Sequence, residues 1–150
     1  MEGEIKIKVT DYSGSFGIRI PGWAAKTTVN INSQTVYPRP GAYLVVDCQG
    51  ELDISLALDF STRFIDGEED LLGDTCVLRG PLLFGIDTMR CGDYNLTGMP
   101  PLSKNEISQT AAVLEKEAVC IPLKNGVTLC DFYNLGITGS QYISWMKTCD

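Results

Sequence analysis

At 150 residues, with 44% hydrophobic and 21% charged side chains, the chain has the size and composition of one folded domain that buries roughly two-thirds of its unfolded surface. Its net charge of −7 argues against a nucleic-acid partner, because phosphate binding needs clustered Lys and Arg. Histidine is absent, which removes Ser-His-Asp and Cys-His catalysis and every histidine metal site together.

The opening "MEGEIKIKV" lacks the basic, apolar and small-residue zones of a signal peptide. No apolar run approaches the ~20 residues that a membrane-spanning helix needs, so no membrane partner is expected. Cytoplasm and periplasm both remain open as compartments. Period-two alternation in short runs then dominates the chain, broken by Gly, Pro, Asn and Asp. "EIKIKV" (4–9) sets Ile5, Ile7 and Val9 on one face, and "SFGIRI" (15–20) sets Phe16, Ile18 and Ile20 inward with Arg19 outward. The turn-like Asp11-Tyr12-Ser13-Gly14 between them predicts a hairpin. "TTVNIN" and "TVY" read as a second hairpin around Asn32-Ser33-Gln34.

A Pro-Gly loop leads into a strand over 42–46. After Gln49-Gly50, "ELDISLALDF" places Leu52, Ile54, Leu56 and Leu58 on one face. "TRFID" leads to an acidic loop with Glu68, Glu69 and Asp70. "TCVLRGPLLFGID" reads as strand, Gly-Pro break, strand, the break letting the chain cross between sheets. Residues 89–104 are loop-rich. "SKNEISQTAAVLEKE" is the one place where a helix is expected, with Ser103 and Glu106 as a capping box and Ile107, Ala111 and Leu114 on one face. "GVTLCDFY" and "QYISWMK" return to strand. Many short strands with at most one helix predict an all-β fold, an antiparallel β-sandwich or jelly roll. One domain over 1–150 is the simplest division, with residues 1–25 alternatively the last strands of a preceding sandwich.

Six cysteines, at 48, 76, 91, 120, 130 and 149, contain no CxxC unit and no zinc-type spacing. Cys48, Cys76, Cys120 and Cys130 sit in apolar, strand-like stretches, where a free thiol behaves as a small hydrophobe; mostly free thiols are expected, with Cys149 the exposed one.

Several stretches, quoted together, resemble one family: "FGIRIPGWA" (16–24), "VNIN" (29–32), "GAYLVVD" (41–47), "ELDISLALDFSTRFI" (51–65), "CVLRGPLLFGID" (76–87) and the closing "LCDFYNLG…QYISWM". In that order they are similar to the β-sandwich portion of the beta-L-arabinofuranosidase-like glycoside hydrolases, of the family 127 type, with "RIPGW" and "RGPL" the most specific pieces. The resemblance implies a C-terminal β-sandwich attached to a helical-barrel catalytic domain, whose cysteine nucleophile and zinc ligands lie in the barrel. None of those residues maps onto this chain, so no catalytic residue, metal ligand or cofactor is expected here. The partners implied are that barrel, a homodimer mate and a glycan of plant type. The resemblance also favours strand over helix at 110–116.

Two readings compete at the candidate positions. Trp23, Tyr43, Tyr142 and Trp145, with Arg19, could stack on and bond to a sugar, as in a carbohydrate-binding module; a purely structural assembly domain is a third possibility. Alternatively Pro21-Gly22 ends a strand and Trp23 fills a gap between sheets, which is the preferred reading. Arg79 is expected to pair with a local acid or carbonyl. Glu68, Glu69, Asp70 and Asp74 lack the spaced calcium-loop pattern, and the sequon at Asn95-Leu96-Thr97 and the turn at Gly136–Gly139 carry no chemistry on their own.

Overall fold

The computed structural model describes residues 3–150, and the chain divides into two compact units, the first ending at Phe60 and the second running over Ser61–Asp150. Among the described residues strand predominates, in line with the antiparallel all-β class expected from the alternation.

The first unit is a four-stranded antiparallel sheet of β1 (Glu4–Arg19), β2 (Thr28–Ile31), β3 (Gln34–Val36) and β4 (Tyr43–Ala57), in the order β1-β4-β2-β3. The hairpin expected at 11–14 does not form. Residues 4–19 are one 16-residue strand, and the two runs expected on either side of Gln49-Gly50 are likewise one strand, β4. The turn-forming residues face each other instead: Val9 pairs with Leu52 and Tyr12 with Gly50. Thr10 and Asp11 therefore share a single opposing residue, Glu51, which is a β-bulge. Asp11 (φ 53°) and Gly50 (φ 94°) supply the backbone it needs.

The bulge has a packing consequence. Inward residues of β1 are odd-numbered before it (Ile7, Val9) and even-numbered after it (Phe16, Ile18), while those of β4 stay even throughout (Leu44, Val46, Cys48, Leu52, Ile54, Leu56). Side chains alternate faces with a period of two, so one extra residue is what returns both halves of β1 to the same core. The second expected hairpin does form. Asn32 and Ser33 both have positive φ (45° and 71°) between Ile31 and its partner Gln34, the two-residue geometry that matches strand twist.

The second unit contains β5 (Thr62–Asp66), β6 (Thr75–Arg79), β7 (Leu82–Asp87), β8 (Leu102–Ser103), α1 (Lys104–Gln109), β9 (Val113–Glu115), β10 (Ala118–Pro122), β11 (Thr128–Asp131), β12 (Tyr142–Ile143), β13 (Trp145–Met146) and β14 (Thr148–Cys149). The main path is β13-β6-β7-β11-β10-β9, with β5 on β6 and β12 on β7. The short β8–β14 pair is parallel. Gly80-Pro81 does not carry the chain between sheets: Arg79 pairs with Leu82, so β6 and β7 are a hairpin within one sheet, turned at Gly80 (φ 56°). The core holds Val77, Phe84, Ile86, Leu102, Ile107, Ile121, Val127 and Leu129.

Helix and strand share the segment for which both were expected. Ser103 caps α1, accepting from the Glu106 N–H at 3.2 Å. The Glu106 carboxylate accepts instead from the Lys124 N–H, so only half of a capping box forms. Ile107 is fully buried, worth about 1.5–3 kcal/mol for a side chain of its size. The helix stops at Gln109, and Ala111 and Leu114 lie beyond it; Leu114 is exposed on β9, which pairs with β10.

Candidate functional site

The structure brings together two of the sequence-derived candidates. Arg19 ends β1 directly opposite Tyr43; its guanidinium carbon lies 5.3 Å from the Tyr43 ring centroid, and its Nη1 donates to the Gly41 carbonyl. The cation therefore occupies a ring face of Tyr43, at about 0.5–1 kcal/mol for an exposed pair. Trp23 is half-buried and packs on Phe60, ring centroids 5.2 Å apart and tilted by 59°. Trp145 belongs to the second unit, on β13 opposite Cys76, where it borders a shallow cleft with Leu96, Met99, Pro100 and Ile143. Tyr142 is exposed and meets Phe132 edge-on at 5.6 Å.

Arg79 pairs with carbonyls, as one of its two expected alternatives had it. Its Nη2 donates to Ile107 O at 2.7 Å, its Nη1 to Thr110 O at 3.0 Å and its Nε to the Thr62 hydroxyl at 3.0 Å. Burial without a neighbouring carboxylate lowers its pKa from the usual arginine value. Of the four acids considered as a cluster, Glu68, Glu69 and Asp70 lie at a 3-10 turn, Glu69–Leu71, and Asp74 is engaged by Lys147 at 2.9 Å. Among the described residues no three His, Cys, Asp or Glu side chains are grouped to hold a metal ion.

A different cluster, not singled out in the sequence, is the most chemically organised part of the surface. Asp87 and Asp131 end β7 and β11 and are buried. Asp87 accepts from the Met89 N–H at 3.0 Å, from Arg90 Nη1 at 2.8 Å and from the Ser140 hydroxyl at 3.3 Å. Asp131 accepts from the Val119 N–H and from Asn134 Nδ2. Both carboxylates are thus satisfied by donors from within the chain. A cleft of about 380 Å³ opens beside them, between the β9–β10 turn and residues 134–138. The sequence signal for it was an apolar run ending in aspartate, "LLFGID" and "VTLCD", since a carboxylate at the end of a buried strand must find donors.

Two thiols lie beneath this region. Cys120 and Cys130 are register partners on β10 and β11, and both are fully buried. Burial, and then the adjacent Cys120, push the Cys130 thiol up to about 12; burial also raises Cys120. Burial works to lower the pKa of Arg90, but Cys130, Asp87 and Cys120 outweigh it and hold that guanidinium above its ordinary value.

No family model matches the chain. In sequence it is 36% identical to the "Non-reducing end beta-L-arabinofuranosidase" of Bifidobacterium longum subsp. longum across 85 residues, which is 50% of this chain and 12% of that relative. In structure it is similar to three solved proteins over 99% of its length: a protein described as a glycoside hydrolase (TM-score 0.76, 16% identity), a GH127 beta-L-arabinofuranosidase from Geobacillus stearothermophilus T6 (0.75, 17%) and a GH127 beta-arabinofuranosidase (0.73, 18%). The chain spans only 31%, 29% and 30% of those proteins. It has the fold of an all-β part of glycoside hydrolases. The resemblance is to the beta-L-arabinofuranosidase-like, family 127 type, and it concerns a part of such a protein.

Proposed function

We propose that this chain is a non-catalytic, C-terminal β-sandwich part of a glycoside hydrolase of the beta-L-arabinofuranosidase type, packing on and supporting a separate helical-barrel catalytic domain. The observation that carries the reading is the coverage: 99% of the chain superposes on about 30% of solved glycoside hydrolases. A fold retained over its whole length inside a chain three times longer has the form of an accessory module. The buried charges fit that role. Arg79, Asp87 and Asp131 each spend their hydrogen bonds on the chain's own backbone and side chains, which positions loops and leaves little of these groups for acid–base work.

The direct test is hydrolysis of aryl arabinofuranosides by the purified 150-residue chain. Release of the aryl alcohol at the rate of the enzyme-free blank is expected; turnover above it that survives repurification overturns the non-catalytic assignment. A carbohydrate-binding module built on Trp23, Arg19, Tyr43 and Trp145 is the alternative function. Of its residues, Trp23, Arg19 and Tyr43 lie in the first unit, where Trp23 packs against Phe60 and Arg19 lies over Tyr43, and Trp145 lies in the second.

A further inference from the structure

We propose that Cys120 and Cys130 are the two halves of a disulfide site, which a small-molecule disulfide oxidises to fasten β10 to β11. Both are free thiols in this structure and both are fully buried. Of the six cysteines they are the two that stand opposite one another in strand register. Cys48 faces Gly14, Cys76 faces Ile65 and Trp145, and Cys149 faces Ser103. Cys91 lies in a loop, where its thiol donates to the Tyr94 carbonyl at 2.7 Å.

The register decides whether the two sulfurs can be joined. Opposed residues of an antiparallel ladder alternate between hydrogen-bonded and non-hydrogen-bonded pairs. The Leu123 N–H donates to the Val127 carbonyl at 2.8 Å, so Leu123–Val127 is a bonded pair. Counting back along the register, Pro122–Thr128 is non-bonded, Ile121–Leu129 is bonded and Cys120–Cys130 is non-bonded. Proline, which has no N–H to give, stands where the ladder asks for none. A non-bonded pair holds its Cα atoms about 4.5 Å apart, within the roughly 4.4–6.8 Å that a disulfide spans. The two thiols are already hydrogen-bonded neighbours.

The surroundings favour closure. Ile121 and Leu129 belong to the main core, whereas the thiols share a small separate cluster with Ala118 and Leu135. Drawing the sulfurs together therefore leaves the main core packed as it is. One register step away the Asp131 carboxylate accepts from the Val119 N–H at 2.6 Å, a second clamp on the same two strands.

The step is thiol–disulfide exchange. One cysteine thiolate attacks a sulfur of the small disulfide, and the thiolate it expels takes up the proton that the cysteine gave. The second cysteine attacks the mixed disulfide and expels the other small thiol in the same way. Two protein thiols and one small disulfide thus become one protein disulfide and two small thiols. Burial keeps both cysteines protonated and out of reach, so exchange proceeds as the chain folds or when the hairpin opens.

The test equilibrates the 150-residue chain in glutathione buffers of graded reduced-to-oxidised ratio, with a protein disulfide isomerase to catalyse exchange. Samples are quenched with acid and alkylated, and the linked peptides are mapped by mass. With glutathione disulfide in about tenfold excess over the thiol, a single internal link joining Cys120 to Cys130 is expected, and excess dithiol reverses it. The oxidised chain is expected to melt about 5 °C or more above the reduced chain, because the link closes a short loop of the unfolded state. Cys130→Ala should lose both the link and the oxidant-dependent rise, while Cys149→Ser keeps both. The proposal is overturned if no Cys120–Cys130 link forms in the most oxidising buffer, or if either residue links preferentially to another cysteine. An oxidised chain that melts no higher than the reduced one, or an undiminished rise in Cys130→Ala, overturns it too.

Discussion

Arg79 Nη2 donates a 2.7 Å hydrogen bond to the backbone carbonyl of Ile107, and through it a buried cation closes the last turn of the chain's only α-helix among the described residues. A six-residue helix is too short to persist on its own, so its stability comes from the Ser103 cap, the burial of Ile107 and this arginine. The cation sits where the helix dipole is negative. Replacing Arg79 by Ala leaves two carbonyls without their donor, and a loss of about 3 kcal/mol is expected. Arg79→Lys keeps the charge but not the forked geometry, at a cost of about 1–2 kcal/mol. Urea unfolding of the two variants measures both values; equal stability of Arg79→Ala and the parent chain would contradict the assignment.

The thiols differ in reach. All but Cys149 are buried, and the thiolate is the reactive form. A native-state reaction with an aromatic disulfide reagent at pH 8 is expected to titrate Cys149 rapidly and the other five only as the chain unfolds. Rapid modification of Cys120 or Cys130, read by peptide mass, would show that the β10–β11 pair opens far more readily than this packing implies.

The same burial sets a pH dependence. The folded-state pKa of Cys130 is raised from 9.0 to about 12, so above pH 9 the unfolded chain releases a proton that the folded chain keeps. Protons bound in the folded state exceed those bound in the unfolded state, and stability falls as pH rises. The contribution is complete below pH 9 and is lost progressively towards pH 12. Cys130→Ala should show a shallower alkaline decline in unfolding free energy than the parent chain, whatever its stability at pH 7.

Two glycines separate backbone strain from space. Gly50 sits in the bulge at φ 94° with nothing within 4 Å of where a Cβ would stand, whereas a Cβ at Gly85 would come within 2.4 Å of the Ile143 carbonyl oxygen. Gly50→Ala is expected to cost about 1–2 kcal/mol, the left-handed penalty alone. Gly85→Ala forces β12 away from β7 and is expected to cost more, about 3 kcal/mol or above. The reverse order in thermal unfolding would mean that the bulge, and not the β7–β12 approach, is the tighter constraint.

Much of the fold was legible because alternation reports which face is buried, and Leu52, Ile54 and Leu56 are inward as their spacing requires. Connectivity was harder. Asp11-Tyr12-Ser13-Gly14 carries the residues of a turn, but the same residues make a bulge when a partner strand runs past both halves; only the pairing of Tyr12 with Gly50 decides between them. Gly80-Pro81 is a break, as its residues imply, but not a sheet crossing, since a hairpin and a crossover begin with the same residues. The cleft escaped notice for a different reason. Asp87, Arg90, Glu117 and Asn134 come from separate segments with no motif between them, and only the β7–β11–β10 pairing brings them together.

The central claim, that this chain serves a helical glycoside hydrolase, is tested most directly by placing an affinity tag at its C-terminus in the source organism and measuring the mass and sequence of the purified species. The account predicts that the tagged material contains a helical-barrel glycoside hydrolase sequence, either continuous with this chain in a polypeptide about three times its length or held in a stable stoichiometric complex with it. Recovery of the 16.4 kDa chain by itself, with no such sequence attached or bound, would contradict it.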